Sequence, residues 1–286
     1  MLKDLIALFR PTHWIKNVFV FMPLPFALAS GAHFDLPRFL LGLLGFCLAS
    51  SAVYAMNDAL DAERDRRHPK KRDRPVAAGR VSVTAALSSS AALASLGAGL
   101  AYLSGSRLAL AILLLYVGLN VYYSLHGKNV PLLDVCLLSS GFVLRVLLGC
   151  ALVDVEPSNW LLLCSSALAL YLALAKRWGD LVKGVAAEHR PSLAGYNREF
   201  LHQAMGIMTA TTLISYALYC MEATVLVPGR EFASLPFVVF GVLEYLRVVH
   251  VREEGASPVE TLLSSPALVL CGVGWVVATL WSVRLF

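Results

Sequence analysis

Long apolar runs separated by short polar stretches dominate the chain. Nine approach the length of a membrane-spanning helix: 18–31, 37–57, 84–104, 108–126, 132–153, 159–175, 203–222, 233–250 and 264–283. A span needs roughly 20 apolar residues to cross the hydrocarbon layer. The first run is interrupted by Pro23 and Pro25, and neighbouring helices can satisfy the backbone groups that such prolines free. Small residues gather where helices would meet, as in Ser88-Ser89-Ser90-Ala91-Ala92 and Gly97-Ala98-Gly99, and they permit close approach in lipid. The pattern predicts an all-α, polytopic membrane bundle of about nine transmembrane helices.

Composition agrees. The 286 residues are 58% hydrophobic and 15% charged, with a mean hydropathy of +0.68. A soluble domain is usually about 45–50% apolar and about 25% charged. Little length is left for a separate soluble domain, so residues 1–286 read as one domain, with no internal repeat. No cleavable signal peptide is expected, because Met1–Lys16 carries charge, Pro11 and Trp14 without a small-residue cleavage site. The six cysteines, Cys47, Cys136, Cys150, Cys164, Cys220 and Cys271, lie in apolar runs without a CxxC pair and read as small buried hydrophobes.

Charge sorts the loops. Nineteen Lys and Arg residues fall on the side that holds the N-terminus and the loops after even-numbered spans; four fall on the other. That bias puts the N-terminus in the cytoplasm, in an inner or cytoplasmic membrane.

The chemistry gathers at one place. Asn57-Asp58-Ala59-Leu60-Asp61-Ala62-Glu63-Arg64-Asp65 ends the second span, and Asp58, Asp61 and Asp65 share a helix face at i, i+3, i+7. Like charges at a membrane boundary repel and are costly, so the cluster reads as functional. A hard cation removes the repulsion, and Mg²⁺ takes a few carboxylates together with water and substrate phosphate oxygens. Asn57, Asp58, Asp61 and Asp65 are the expected metal ligands. A basic loop follows directly, with Lys70, Arg72 and Arg74 among the eight cations that run from Arg64 to Arg80, and Pro69, Pro75 and Gly79 give it shape. Metal plus Lys and Arg is what a diphosphate leaving group requires.

Other polar features fall on the same predicted side. Tyr123 and Lys128 close the fourth span, and Lys176, Arg177 and Asp180 close the sixth. Arg145 lies inside the fifth span, three turns from Asp134; it either pairs with a carboxylate or faces an anionic substrate. His13-Trp14-Ile15-Lys16-Asn17 reads equally as an interfacial anchor or as a contact to a lipid phosphate.

At these residues the chain resembles the UbiA-type intramembrane prenyltransferase superfamily. Asn57, Asp58, Asp61 and Asp65 match its Asn-Asp-x-x-Asp-x-x-x-Asp motif, and Tyr123 with Lys128 match its Tyr-x-x-x-x-Lys element. Most members carry a second Asp-rich motif after helix six, where this chain has Lys176-Arg177-x-x-Asp180. The stretches Asp65–Gly79, Arg10–Asn17, Ser139–Arg145 and Ala175–Arg177 instead resemble the decaprenyl-phosphate phosphoribosyltransferase branch. Gly127, usually leucine there, and Asp180, usually glutamate, depart from it.

The resemblance implies a nine-helix bundle and a Mg²⁺-dependent membrane transferase. It would move 5-phosphoribosyl from 5-phosphoribosyl 1-diphosphate to a polyprenyl phosphate, releasing diphosphate, in synthesis of cell-envelope polysaccharide precursors. Asp58, Asp61, Lys128 and Arg145 would be catalytic. His13, Trp14, Lys16, Asn17, Asn57, Lys70, Arg72, Arg74, Tyr123, Lys176 and Arg177 would bind substrate. The partners expected are these two substrates and membrane lipids, with no nucleic acid and a possible homo-oligomer. The rival readings are transfer of a polyprenyl group to an aromatic acceptor such as 4-hydroxybenzoate, and a non-catalytic lipid transporter.

Overall fold

The computed structural model describes residues 2–68, 71–184, 190–252, 261–262 and 264–285. Every regular element among them is helical. Among the described residues six helices are long and apolar enough to cross a membrane: α3 (Leu36–Leu60), α5 (Val83–Leu103), α6 (Arg107–Leu125), α7 (Leu133–Val153), α8 (Asn159–Val182) and α9 (Arg198–Glu222). Two shorter ones, α10 (Leu235–Val251) and α11 (Pro266–Ser282), have 17 residues each and cover the expected eighth and ninth spans.

The expected first span is not one helix. A short α1 (Leu2–Phe9) leads into a 3-10 helix, Pro11–Phe21, and then a six-residue α2 (Leu24–Ala29). Pro23 and Pro25 cannot donate to an α-helical ladder, which accounts for the break. The sixth span also runs further than expected. α8 continues to Val182, so Lys176, Arg177 and Asp180 belong to the helix itself.

Polar caps set the helix starts. Asp35, Ser82, Ser106, Ser158 and Asn197 each accept the backbone N–H three residues on, at the heads of α3, α5, α6, α8 and α9. The tight turn from α5 to α6 passes through Gly105, whose φ of +77° suits a residue without Cβ.

The chain divides into two compact units. The first holds residues 1–22, 34–128 and 144–154; the second holds 23–33, 129–143 and 155–286. In the first unit α3 and α5 approach backbone to backbone. A Cβ on Gly97 would lie 2.6 Å from the Gly45 carbonyl oxygen, and one on Gly45 would lie 2.7 Å from that of Gly97. Ser90 Oγ donates to the Ala52 carbonyl at 2.7 Å along the same seam. Of the small-residue clusters expected at contacts, Gly97 and Ser90 lie in one, whereas Ala91, Ala92 and Gly99 are exposed. In the second unit Tyr171, Leu172, Leu174, Leu201, Met205, Tyr245 and Val249 form a core among α8, α9 and α10. The six cysteines are free; Cys47, Cys150 and Cys220 are buried as expected, but Cys136 is exposed.

The glycine seam is testable. Ala has the higher helix propensity, so Gly→Ala in an open helix position is neutral or stabilising by up to about 1 kcal/mol. Gly97→Ala will instead destabilise by about 1–3 kcal/mol, because backbone blocks its Cβ. Gly99→Ala, with nothing within 4 Å of a built Cβ, is the control. Thermal melting in detergent reads both; equal melting temperatures would contradict the close approach.

Candidate active site

The first unit contains the acidic motif and most of the basic residues that follow it. The α3 helix ends at Leu60, Asp61 forms a bend (φ −95°, ψ 1°), and α4 (Ala62–Arg67) carries the chain on. The backbone bonds Asp61 N to Asn57 O and Asp65 N to Asp61 O span the bend. Asp58 and Asp65 are both 2% exposed. Arg74 bridges them: its Nη1 lies 3.1 Å from Asp58 Oδ1 and 2.7 Å from Asp65 Oδ2. Lys71 adds an ion pair to Asp65 at 3.9 Å. Asp61 pairs elsewhere, with Lys128 Nζ at 2.5 Å. Ser124 in α6 hydrogen-bonds Asn57 Oδ1.

The loop that carries Arg74 is folded rather than trailing. Backbone bonds tie Ala78 N to Arg74 O, and Arg80 N and Val81 N to Pro75 O, and Gly79 takes a φ of +75°. Val76 and Val81 sink into a small core with Leu8, Ala55, Ala59 and Ala62. Arg66 Nε donates to Ala77 O at 3.2 Å, and Arg80 Nε to Asp4 at 2.7 Å. That guanidinium holds the Asp4 carboxyl below its ordinary range.

The N-terminal segment lies along one face of α3. Asn17 Nδ2 donates to Cys47 Sγ at 3.0 Å, Trp14 Nε1 to Ser51 Oγ at 2.9 Å, and Lys16 Nζ to Tyr54 OH at 3.4 Å. His13 meets the Tyr54 ring edge-on at 5.1 Å. Arg10 Nη2 reaches Asp58 Oδ1 at 2.6 Å, with its Cζ 5.1 Å from the Tyr54 ring centre. Positions 47, 51, 54 and 58 step by four, three and four, which is one helix stripe. Ile15 and Val18 point away, 46% and 58% exposed, as an anchor facing lipid would. Arg10 itself is left-handed, at φ 49°, ψ 57°, a conformation that costs a residue with Cβ about 1–2 kcal/mol. Strain of this kind clusters at functional sites.

Arg10 and Arg74 both take Asp58 Oδ1, while Oδ2 is buried without a hydrogen-bond partner. An orphaned carboxylate oxygen of this kind, with Asp61 and Asp65 one and two turns on, fits a hard divalent cation. The four expected ligands are not a preformed cage, however. Among the described residues, no three His, Cys, Asp or Glu side chains converge tightly enough to hold a metal. The bend at Asp61 and the intervening cations keep the carboxylates apart.

Arg145 is buried in the first unit. Its Nε donates to Asn17 Oδ1 at 2.7 Å, Nη2 lies 3.5 Å from Ser50 Oγ and from Tyr116 OH, and the rings of Phe46 and Tyr116 flank it at 5.1 and 5.2 Å. Asp134, three turns away in sequence, is engaged in the second unit. There Arg177, fully buried, lies 2.8 Å from both Asp134 Oδ2 and Asp180 Oδ2. Arg190 also reaches Asp180, at 3.2 Å, Ser192 Oγ donates to Asp134 at 2.8 Å, and Tyr196 OH donates to it at 2.6 Å. Burial, reinforced by the bond to Asp134, pushes the Tyr196 phenol above its ordinary range.

The structure thus joins Asn57, Asp58, Asp61, Asp65, Arg74 and Lys128 with His13, Trp14, Lys16, Asn17 and Arg145 through contacts within one unit. Tyr123 and Lys176 are half-buried, Arg72 is exposed, and Lys70 lies outside the described residues. Arg177, expected to bind substrate, has carboxylate partners instead of an open face. Arg10, Tyr54 and Ser124 were not expected as site residues. The polar stripe 47, 51, 54, 58 within an apolar run was the available signal for Tyr54.

The comparisons with known proteins agree with this architecture. The chain is 33% identical over 282 residues to a decaprenyl-phosphate phosphoribosyltransferase of Corynebacterium glutamicum, covering 95% of this chain and 84% of the relative. It is 28% identical over 284 residues to the protein of the same name from Mycobacterium tuberculosis, covering 96% and 93%. The structure of a UbiA homolog from Archaeoglobus fulgidus bound to GPP and Mg²⁺ superposes with a TM-score of 0.74 at 19% identity, covering 98% of each chain, a likeness of fold. Residues 17–259 match the UbiA prenyltransferase family, and the chain, an integral membrane protein, belongs to that family.

Proposed function

We propose that the protein transfers 5-phosphoribosyl from 5-phosphoribosyl 1-diphosphate to a polyprenyl phosphate, as its relatives' names describe for them. The observation that carries the reading is the interleaving of three aspartates with Arg10, Lys71, Arg74 and Lys128 in one unit. Such a site suits a polyanionic donor that arrives with a divalent cation. The charge at Lys176-Arg177 supports it further. Arg177 is already matched by Asp134 and Asp180, so this region offers poor ground for a second metal–diphosphate clamp.

Asp58, Asp61 and Asp65, with Asn57, would hold Mg²⁺. When bound, the metal would supply electrostatic stabilisation of the diphosphate leaving group. The chain's own residues do the rest. Lys128, Arg74 and Lys71, which pair with these aspartates, would neutralise the leaving diphosphate. The acceptor phosphate is already anionic at neutral pH, so its oxygen attacks C1 without a strong general base. Arg145, which contacts Asn17, Ser50 and Tyr116 in the first unit, would orient an anionic head group, and Lys16 would assist. We read residues 1–286 as one transferase domain of nine spans. The broken stretch 18–31 is the first span, and the site and N-terminus face the cytoplasm.

Purified protein given magnesium, 5-phosphoribosyl 1-diphosphate and a polyprenyl phosphate should release diphosphate and yield a lipid heavier by one phosphoribosyl group. Asp61→Ala abolishes turnover, and Lys128→Ala lowers it by about 10²–10³-fold. Prenylation of 4-hydroxybenzoate from a prenyl diphosphate, with no phosphoribosyl lipid, would sink the assignment; lipid uptake without chemistry would favour a transporter. Topology has its own test. Nine spans with a cytoplasmic N-terminus put the C-terminus on the far side, so a C-terminal alkaline phosphatase fusion is active and a green fluorescent protein fusion is dark. The opposite pattern would refute the odd span number.

A further inference from the structure

The ion pairs around Asp58 are not equivalent. Arg74 holds two carboxylates and keeps Asp65 if Asp58 is taken away. Arg10 has Asp58 as its carboxylate partner and a side chain 19% exposed, against 2% for Asp58. Oδ1 of Asp58 carries both guanidinium groups, and Oδ2 carries none. A divalent cation entering at Asp58 therefore competes with Arg10 first. A cation arriving alone would strand that guanidinium beside a metal charge. A diphosphate arriving alone would meet three carboxylates. Arriving together, they exchange partners with the site: the metal takes the carboxylate, the guanidinium takes the diphosphate, and every charge keeps an opposite.

We infer that Arg10 is a ligand of the donor's diphosphate, held on Asp58 until metal and diphosphate enter as a unit. The inference rests on the reading of Asp58 as a metal–diphosphate residue given above. Arg10 is built for the exchange. Its guanidinium can bind two phosphate oxygens at once, as it would two carboxylate oxygens. Its backbone is fixed by the Pro11–Phe21 helix, itself pinned to α3 through Trp14–Ser51, Lys16–Tyr54 and Asn17–Cys47. Arg145 extends that anchorage by bonding Asn17. The Tyr54 ring stays under the guanidinium as a surface on which it can turn.

The consequence is a change of sign that a merely structural residue would not produce. Full-length protein is titrated with Mn²⁺ alone and, separately, with the preformed Mn²⁺–diphosphate complex, by calorimetry. Arg10→Gln tightens binding of Mn²⁺ alone by at least about fivefold, because Asp58 loses a competitor, and weakens binding of the complex by at least about fivefold, within the usual span of site-to-site coupling. Arg10→Lys keeps the charge but not the fork, so it leaves Mn²⁺ alone unchanged and weakens the complex. It carries the test if Arg10→Gln does not fold, which melting temperatures report. Weakening of both titrations makes Arg10 a structural prop, and a gain for Mn²⁺ alone with no loss for the complex makes it only a cover for Asp58. Either result, or wild-type behaviour in the folded variants, overturns the inference. The probes contain neither ribose nor isoprenoid. Failure of phosphoribosyl transfer with the sign change intact would therefore refute the proposed reaction and leave the role of Arg10 standing.

Discussion

A carboxylate that is 2% exposed at the end of a membrane helix cannot keep its charge unless cations come to it, and the first unit is arranged around meeting that demand at Asp58. Two chain segments far apart in sequence supply the cations. The N-terminal segment brings Arg10, at the cost of a left-handed backbone, and the loop after α4 brings Arg74. Each is held by packing that has nothing to do with charge. The 3-10 helix runs down a stripe of α3, and the loop buries Val76 and Val81 in a core with Leu8, Ala55, Ala59 and Ala62. Small residues on α3, Gly45 facing α5 and the alanines facing the loop, leave room for both arrangements.

The second unit meets the same demand with the signs reversed. Arg177 is fully buried and is matched by Asp134 and Asp180, while Ser192 and Tyr196 occupy further acceptor positions on Asp134. Removing one member of such a set strands a charge and is strongly destabilising. The network binds the end of α8 to the start of α7 and to the Pro191–Gly195 turn. The two units thus put buried charge to different uses. One leaves a carboxylate oxygen without a partner beside two guanidinium groups; the other closes a guanidinium between two acids.

Family membership and the acidic motif are joined in the structure by a pattern of paired charges. Carboxylates that would repel each other when bare are each tied to a lysine or arginine. These are the residue types that bind phosphate, so on the reading proposed above metal ligands and phosphate ligands would stand paired with one another. Recognition of an anion and readiness for a cation are then one arrangement.

The sequence alone determined the membrane character, the helical class and the location of the acidic and basic motif, because these depend on local hydrophobicity and on residues close in the chain. Long apolar runs give α3, α5, α6 and α7 within a few residues and locate α8 and α9, whose polar ends at 176–182 and 198–202 the apolar runs leave out, and the i, i+3, i+7 aspartates announce themselves. Polar caps such as Ser82, Ser106 and Asn197 are also local. Tertiary structure decided the partners. That Arg10 meets Asp58 across 48 positions, that Lys128 meets Asp61 across 67, and that Asp134 turns to Arg177 rather than to Arg145 follow from which helix faces pack together. It also decided that the run around Pro23 and Pro25 is a 3-10 helix and a short α-helix rather than one continuous helix. Apolarity measures how much of a segment avoids water, but not which neighbour satisfies the polar groups it brings along; in a membrane, where water cannot stand in for a missing partner, that choice belongs to the fold.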